Sequence, residues 1–251
     1  MALSVLLRPL RSLSRAMLDF ALPPRCSGCG VIVGVDHSFC LACWQELDFL
    51  GGPACATCAE PLELALYDDS VCGACLADPP PFDRMRAAVA YGPIARALAL
   101  KLKYGRRPGI ARTMAGPMRR AAGPVLDGAL VVPVPLHRRR LWWRGYNQAA
   151  LIARALVPRP QLAVDLLTRT RATRPLRDMG RKARARTVSG AFAVSPTWRD
   201  RVKGSRIVLV DDVSTTGATV SACARVLRKA GAADVTILCW ARVVRDADDA
   251  R

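Results

Sequence analysis

The spacing of apolar positions changes character along this chain. Near the start, Leu3, Leu6, Leu7, Leu10, Leu13, Met17 and Leu18 recur at helical spacing, while Arg8, Arg11 and Arg15 interrupt any long apolar run. This predicts an amphipathic helix over 1–24, ended by Pro23-Pro24. It is too interrupted for a transmembrane span or a secretory leader. Its Arg and Ser content also fits an organelle transit peptide or a membrane-surface helix; a helix packed on the rest of the protein is the plainer reading. From 25 to 78 there is no periodicity. Beyond the stiff stretch Asp78-Pro79-Pro80-Pro81-Phe82-Asp83, short apolar runs alternate with helical patterns. Strands are expected at Arg86–Tyr91, Leu130–Val134, Leu162–Leu167, Phe192–Val194, Ile207–Val210 and Val235–Trp240, the last closing the sheet. Helices are expected at Ile94–Leu102, Ile110–Ala121, Asn147–Ala155 and Ala218–Lys229. Such alternation with short connections predicts an α/β domain over 83–251, built on a parallel sheet with flanking helices. Its ligand would lie at the carboxyl ends of the strands.

The aperiodic stretch 25–78 is explained by cysteine. Four C-x-x-C pairs follow one another: Cys26/Cys29, Cys40/Cys43, Cys55/Cys58 and Cys72/Cys75. Ten residues separate the first two pairs and thirteen the last two. Paired knuckles at such spacing put four thiolates around one tetrahedral ion, with Zn–S about 2.3 Å. The simplest grouping is Cys26, Cys29, Cys40 and Cys43 for one zinc, and Cys55, Cys58, Cys72 and Cys75 for another. Four thiolates leave no open position, so both ions would be structural. A disulfide framework and iron–sulfur ligation are the lesser alternatives. His37 reads as a surface residue, and Cys223 and Cys239 as buried small apolar side chains.

The most informative stretch is Ile207 to Thr219, IVLVDDVSTTGAT. A buried strand ending at Val210 runs into Asp211-Asp212, then into Ser214-Thr215-Thr216-Gly217, then into a helix opening at Ala218-Thr219. Strand, small-residue turn and helix N-terminus together make a phosphate-binding geometry, and Gly217 permits close approach of the backbone. Neither a P-loop nor a G-x-G-x-x-G motif occurs. Carboxylates beside a phosphate are repulsive unless they bind something else, and ionised carboxylates only accept hydrogen bonds. Vicinal ribose hydroxyls suit them, so the loop asks for a ribose 5-phosphate: hydroxyls on Asp211 and Asp212, phosphate on Ser214 to Thr219.

Charge adds a second theme. With 38 Lys and Arg against 20 Asp and Glu the net charge is +18, which favours anionic partners. An Arg-rich genomic bias would have the same composition. From Arg138 to Arg186 there are 14 basic residues and two acids. Arg139 and Arg140 stand beside Trp142, Trp143 and Tyr146. Basic groups interleaved with aromatics hold single-stranded nucleic acid; a solvated loop with its tryptophans packed inward is the even alternative. Arg138 to Arg140 are expected in a loop.

The apolar strand, Asp-Asp pair and TTG turn resemble the signature of type I phosphoribosyltransferases. The zinc ribbons, the VPVPLH segment, the R-G-Y-N-Q run and the VDDVSTTGAT loop, in that order, resemble the ComF family across nearly the whole chain. That resemblance implies a double zinc ribbon (25–78), a phosphoribosyltransferase-like domain (83–251), and binding of phosphoribosyl pyrophosphate (PRPP) with magnesium. It also implies a part in DNA uptake and natural transformation, handling single-stranded DNA in the cytoplasm or at the inner face of the membrane, beside an uptake helicase. Asp211 and Asp212 would be the catalytic pair. Pro135, His137, Arg138 and Arg144, with Arg139 and Arg140, would meet pyrophosphate, and 169–186 would form a hood. The chain departs from the family pattern: Thr173, Arg184, Ala191 and Phe192 match, but Leu176 replaces Gln, Met179 replaces Leu and Thr187 replaces Asn. Leu176 cannot hydrogen-bond a base or ribose, which weighs toward PRPP binding without turnover. The alternatives are an active phosphoribosyltransferase on an unidentified acceptor and a zinc-ribbon adaptor without catalysis.

Overall fold

The computed structural model describes residues 22–64, 67, 69–172 and 180–244. The expected helix over 1–24 lies outside them apart from its last residues, and Thr173, Leu176 and Met179 lie outside them too. The chain forms two compact units, Met1–Glu46 and Leu47–Arg251.

The described part of the first unit is one ribbon. Arg25 and Ile32 bridge antiparallel, and the Cys26 and Gly30 N–H groups donate to Val31 O and Cys26 O at 2.8 and 2.9 Å. Cys40 then opens a short helix α1 (Leu41–Gln45). The second unit begins with the same device. Ala54 and Pro61 bridge, Cys55 and Ala59 N–H donate to Glu60 O and Cys55 O, and Cys72 opens α2 (Gly73–Ala77).

The units divide at Glu46–Leu47, ahead of the proline-rich stretch at 78–83 where the sequence changes character. The reason is contact. Met85 N–H donates to Thr57 O at 2.7 Å. The Arg242 guanidinium donates to Cys58 O and pairs with Glu60. Residues 48–50 run antiparallel beside the strand that carries Val89.

The sheet is built from β1 (Arg84–Ala90), β2 (Leu130–Pro133), β5 (Arg206–Ser214) and β6 (Asp234–Arg242), in the order β1-β6-β5-β2 and all parallel. Both faces are covered, so β5 and β6 read as continuous apolar runs rather than alternating ones. Ile207, Leu209, Ile237 and Cys239 pack with Val220, Cys223 and Leu227 of the last helix, α9 (Ala218–Lys229). On Trp240 the indole N–H donates to Ala95 O of α3 (Pro93–Tyr104). Two further helices, α4 (Ile110–Ala122) and α6 (Gln148–Leu156), pack on each other, α4 against β1 and α6 against β5.

Several expectations change. β6 lies inside the sheet rather than closing it. β5 runs four residues beyond Val210, so both acids are strand residues. The basic loop at Arg138 is a helix, α5 (Arg138–Arg144), because the His137 side chain caps it by accepting from Arg139 N–H at 3.3 Å. The run Leu162–Leu167 is not one strand. Leu162 alone bridges Val131, and β3 (Leu167–Arg169) pairs antiparallel with β4 (Phe192–Val194). Asp165 interrupts it, turned out to accept from the Trp198 indole at 3.1 Å. Between β3 and β4 stands α7 (Arg181–Val188), and α8 (Arg199–Val202) precedes β5.

Candidate functional site

The carboxyl end of β5 delivers Asp211 and Asp212 to opposite sides of the strand, as period-two geometry requires. Asp212 is buried, and its Oδ2 lies 2.7 Å from the Lys103 ammonium at the end of α3. Burial would lower Lys103, but Asp212, with Asp211 behind it, more than reverses that, and the lysine stands raised. Asp211 accepts from Asp212 N–H at 2.9 Å. Burial, followed by the neighbouring Asp212 carboxylate, pushes its carboxyl up to about 8 against the pull of Lys103.

Beyond the acids the backbone turns at Gly217, φ +73, a left-handed conformation that a Cβ would strain. Gly217 precedes α9 and offers no side-chain cap, so the first N–H groups of that helix have no intrahelical partner and face the concavity. That concavity is lined by Asp211 and by the run Val213 to Val220. Among the helices around it, His137 caps α5 and Asn147 caps α6 by accepting from Ala149 and Ala150 N–H, whereas α3 and α7, like α9, start without a side-chain cap. Thr215 accepts from the Arg184 guanidinium of α7 at 3.0 Å, while Ser214 is buried and pairs in register with Arg242.

Beside this loop lies the turn after β2, joined to it by the Val134 N–H donating to Val210 O at 2.9 Å. Asn147 Nδ2 donates to Val134 O at 2.9 Å, so one side chain ties the turn to the start of α6. Pro135 is buried, Arg138 and Arg139 are exposed, and Arg140 is half-buried. Arg144 lies over the Tyr104 ring at 5.2 Å and donates to Gln148 Oε1 at 3.0 Å. Burial lowers Arg140, and Arg144 adds to it. Burial also lowers Arg169, with Arg140 repelling and Asp211 attracting it. Four cations, Lys103, Arg140, Arg144 and Arg169, thus sit in one field around two carboxylates. The arrangement suits a ligand that brings both hydroxyl donors and a surplus of negative charge.

Of the sequence candidates, the structure brings together Asp211, Asp212, the 214–219 loop, Pro135, Arg140 and Arg144. His137 Nδ1 is engaged in capping. The aromatics divide. Trp142 and Trp143 are 88% and 63% exposed on α5, whereas the Tyr146 hydroxyl donates to Leu102 O at 2.6 Å. Trp143 meets Tyr104 edge-on, with centroids 6.0 Å apart. Sequence reasoning missed Lys103, Asn147 and Arg242 as site residues, and had Arg169 only as the first residue of a hood. A hint for Lys103 was present in Lys101-Leu102-Lys103-Tyr104, where a cation adjoins the apolar stripe of its helix.

The cysteines form two sets, Cys26, Cys29, Cys40 and Cys43, and Cys55, Cys58, Cys72 and Cys75, each with all sulfurs within 4.8 Å of one another. A tetrahedral ion with Zn–S of about 2.3 Å needs S···S of about 3.8 Å. Cys29 and Cys40 Sγ are 3.6 Å apart and Cys58 and Cys72 Sγ 3.7 Å, so both sets fit. Backbone N–H groups point at sulfur, from Cys40 to Cys26 and from Cys58 and Cys72 to Cys55. Burial would raise Cys26, but the N–H groups of Cys40, Cys29 and Gly28 outweigh it and hold the thiol at about 6, whereas burial and the neighbouring cysteines push Cys43 up to about 12. The thiolate is the form that ligates metal. His37 is exposed with φ 59, and Cys223 and Cys239 are buried.

Comparison with known proteins adds a family context. A double zinc ribbon domain model matches residues 17–76, and a phosphoribosyl transferase domain model matches residues 149–249. The "DNA utilization protein YhgH" of Escherichia coli (strain K12) is 35% identical over 199 residues, covering 76% of this chain and 84% of the relative. "Competence protein F" of Haemophilus influenzae is 29% identical, covering 87% and 96%. "Competence protein ComFC" of Bacillus subtilis (strain 168) is 24% identical, covering 79% and 81%.

Proposed function

We propose, since this chain belongs to the ComF family of proteins that join a double zinc ribbon to a phosphoribosyltransferase domain, that it binds PRPP with magnesium and serves DNA utilization of the competence type. The observation that carries this reading is the pairing of Asp211 and Asp212 with an uncapped, glycine-started helix at the carboxyl end of one strand. In this reading a ribose hydroxyl donates to the Asp211 carboxylate, which lines the concavity, while the buried Asp212 stands behind it against Lys103. The 5-phosphate accepts from the N–H groups and hydroxyls of the run ending at Thr219. Lys103 pairs with Asp212 and fixes it. The pyrophosphate end meets the turn at Pro135 and the guanidinium groups of Arg140, Arg144 and Arg169, with Arg138 and Arg139 at the rim. Magnesium, when bound with the ligand, supplies neutralisation of phosphate charge. The two cysteine sets hold structural zinc.

A second component of the reading is single-stranded DNA contact by α5. Exposed Trp142 and Trp143 beside exposed Arg138 and Arg139 offer stacking surfaces next to phosphate-binding cations. No helix among the described residues is long and apolar enough to cross a membrane. We place the protein in the cytoplasm, with an uptake helicase as the partner class. Turnover is a second reading, favoured by the gathering of cations where a pyrophosphate leaving group would need them. Its assay is pyrophosphate release.

Calorimetric titration of PRPP with magnesium tests the central point. Binding to the wild type is expected, and its loss in an Asp211→Asn/Asp212→Asn double variant. A wild type that is folded and zinc-loaded but does not bind PRPP sinks the reading.

A further inference from the structure

A cavity of about 420 Å³ lies within the second unit, between the second ribbon and the outer side of the phosphate loop. This volume falls in the range of small-ligand sites, about 300–1,000 Å³. Its apolar lining comes from Pro80, Phe82, Met85, Ala74 and Val243. Its polar lining comes from Asp78, Arg184, Thr215, Thr216 and Ser221, with Arg242 and the ligand cysteines Cys58 and Cys75 of the second ribbon also bordering it. Asp211 lines the inner concavity but not this cavity, and Ser214 to Gly217 line both. The loop therefore borders both, and the Thr215 and Thr216 hydroxyls available to the function proposed above also line this cavity.

We propose that this cavity is a second ligand site that takes a nucleoside monophosphate and is coupled to the phosphate loop. An apolar lining that includes the Phe82 ring suits a base. The Asp78 carboxylate can accept from a base amino or ring N–H. The hydroxyls of Thr215, Thr216 and Ser221 and the Arg184 guanidinium suit the anionic end. A wholly apolar ligand would leave the polar lining unmatched, and an inorganic anion would leave the apolar lining uncovered. Coupling follows from the bond between Arg184 and Thr215 Oγ1 at 3.0 Å. An occupant that recruits either group alters the loop presented to the other side. The coupling rests on the PRPP reading, whereas the second site does not.

The test uses the full, zinc-loaded chain titrated with AMP, GMP, CMP and UMP. Ala74→Trp and Ser221→Phe fill the cavity, and Ala74→Ser leaves it open. At least one nucleotide is expected to bind the wild type and Ala74→Ser, to bind both filled variants about tenfold more weakly or worse, and to bind the Asp211→Asn/Asp212→Asn variant unchanged. Its addition to the wild type should also move the Met85 methyl resonance, a readout that needs no variant to fold. Binding that survives filling but is lost in the double aspartate variant would put the nucleotide in the inner concavity and overturn the proposal. Absence of binding at millimolar nucleotide, or an unmoved Met85 signal, would overturn it as well. PRPP titrated in parallel separates the two readings: nucleotide binding without PRPP binding removes the first and leaves the second site standing.

Discussion

Asp211 shows how a single residue carries a pH signature. Its carboxyl stands at about 8 in the folded chain against 3.8 as its ordinary value, raised first by burial and then by Asp212. The folded state keeps a proton that the unfolded state releases, so this group's contribution to stability falls as pH rises from 3.8 to about 8 and is flat above. A ribose hydroxyl bonds the ionised carboxylate more strongly than the protonated carboxyl, which accepts only at its remaining oxygen lone pairs. PRPP affinity is therefore expected to climb as pH is raised from about 6 to 8, by less than about tenfold per unit, and the climb should vanish in Asp211→Asn. Calorimetry across that range checks it. Lys103 is the complementary case. Lys103→Met leaves Asp212 charged and buried without its partner, and should cost about 3 kcal/mol or more in urea denaturation. Adding Asp212→Asn should recover much of the loss. At Gly28 the constraint is steric. A Cβ there would stand 2.7 Å from Cys43 Sγ, so Gly28→Ala should weaken zinc retention in the first ribbon while sparing the second, where Thr57 holds the equivalent place. Zinc release to a chromophoric chelator reads the difference.

Elements explain why the second ribbon belongs with the sheet. β6 ends at Arg242, whose guanidinium reaches Cys58 O and Glu60 from the same strand end that is in register with Ser214. One strand thus links a zinc ligand's carbonyl to the start of the phosphate loop. Arg242→Ala strands a buried Glu60 and removes that link, an expected cost of about 3–5 kcal/mol. Amide exchange should quicken first in 55–62 and in 214–217; uniform quickening across the sheet would argue against a local link. The helices around the site differ in how their first turns are closed. Side chains of His137 and Asn147 close α5 and α6, while α9, like α3 and α7, starts without a side-chain cap. Arg138 to Arg144 looks like a loop in sequence because it has no apolar stripe. It forms a helix through its cap and through Gly145, φ +80, at its end.

At the scale of the whole molecule the net charge of +18 sets long-range attraction for polyanions, and α5 offers aromatic contact within it. Single-stranded DNA affinity is expected to fall steeply with salt. Trp142→Ala/Trp143→Ala should weaken binding by about 1–3 kcal/mol per stacked base at unchanged salt slope, whereas replacing Arg138 and Arg139 should reduce the slope itself. Fluorescence anisotropy at several salt concentrations separates the two effects, and a salt-independent affinity would remove DNA from the reading.

The four strands of the parallel sheet, most helices, the cysteine sets and the strand–turn–helix run at 207–219 were legible in the sequence for a common reason. Each depends on residues close together in the chain. Buried parallel strands appear as apolar runs, C-x-x-C knuckles ligate locally, and the run from Val210 to Thr219 carries acids, turn and helix start in one piece. Tertiary structure alone decided what faces these pieces. β6 was placed inside the sheet by pairing on both its edges. Lys103 was brought to Asp212, and Arg242 to Cys58 across 184 residues of chain. Charge pairing acts over a few ångströms of space whatever the separation in sequence, so periodicity and spacing carry no trace of it.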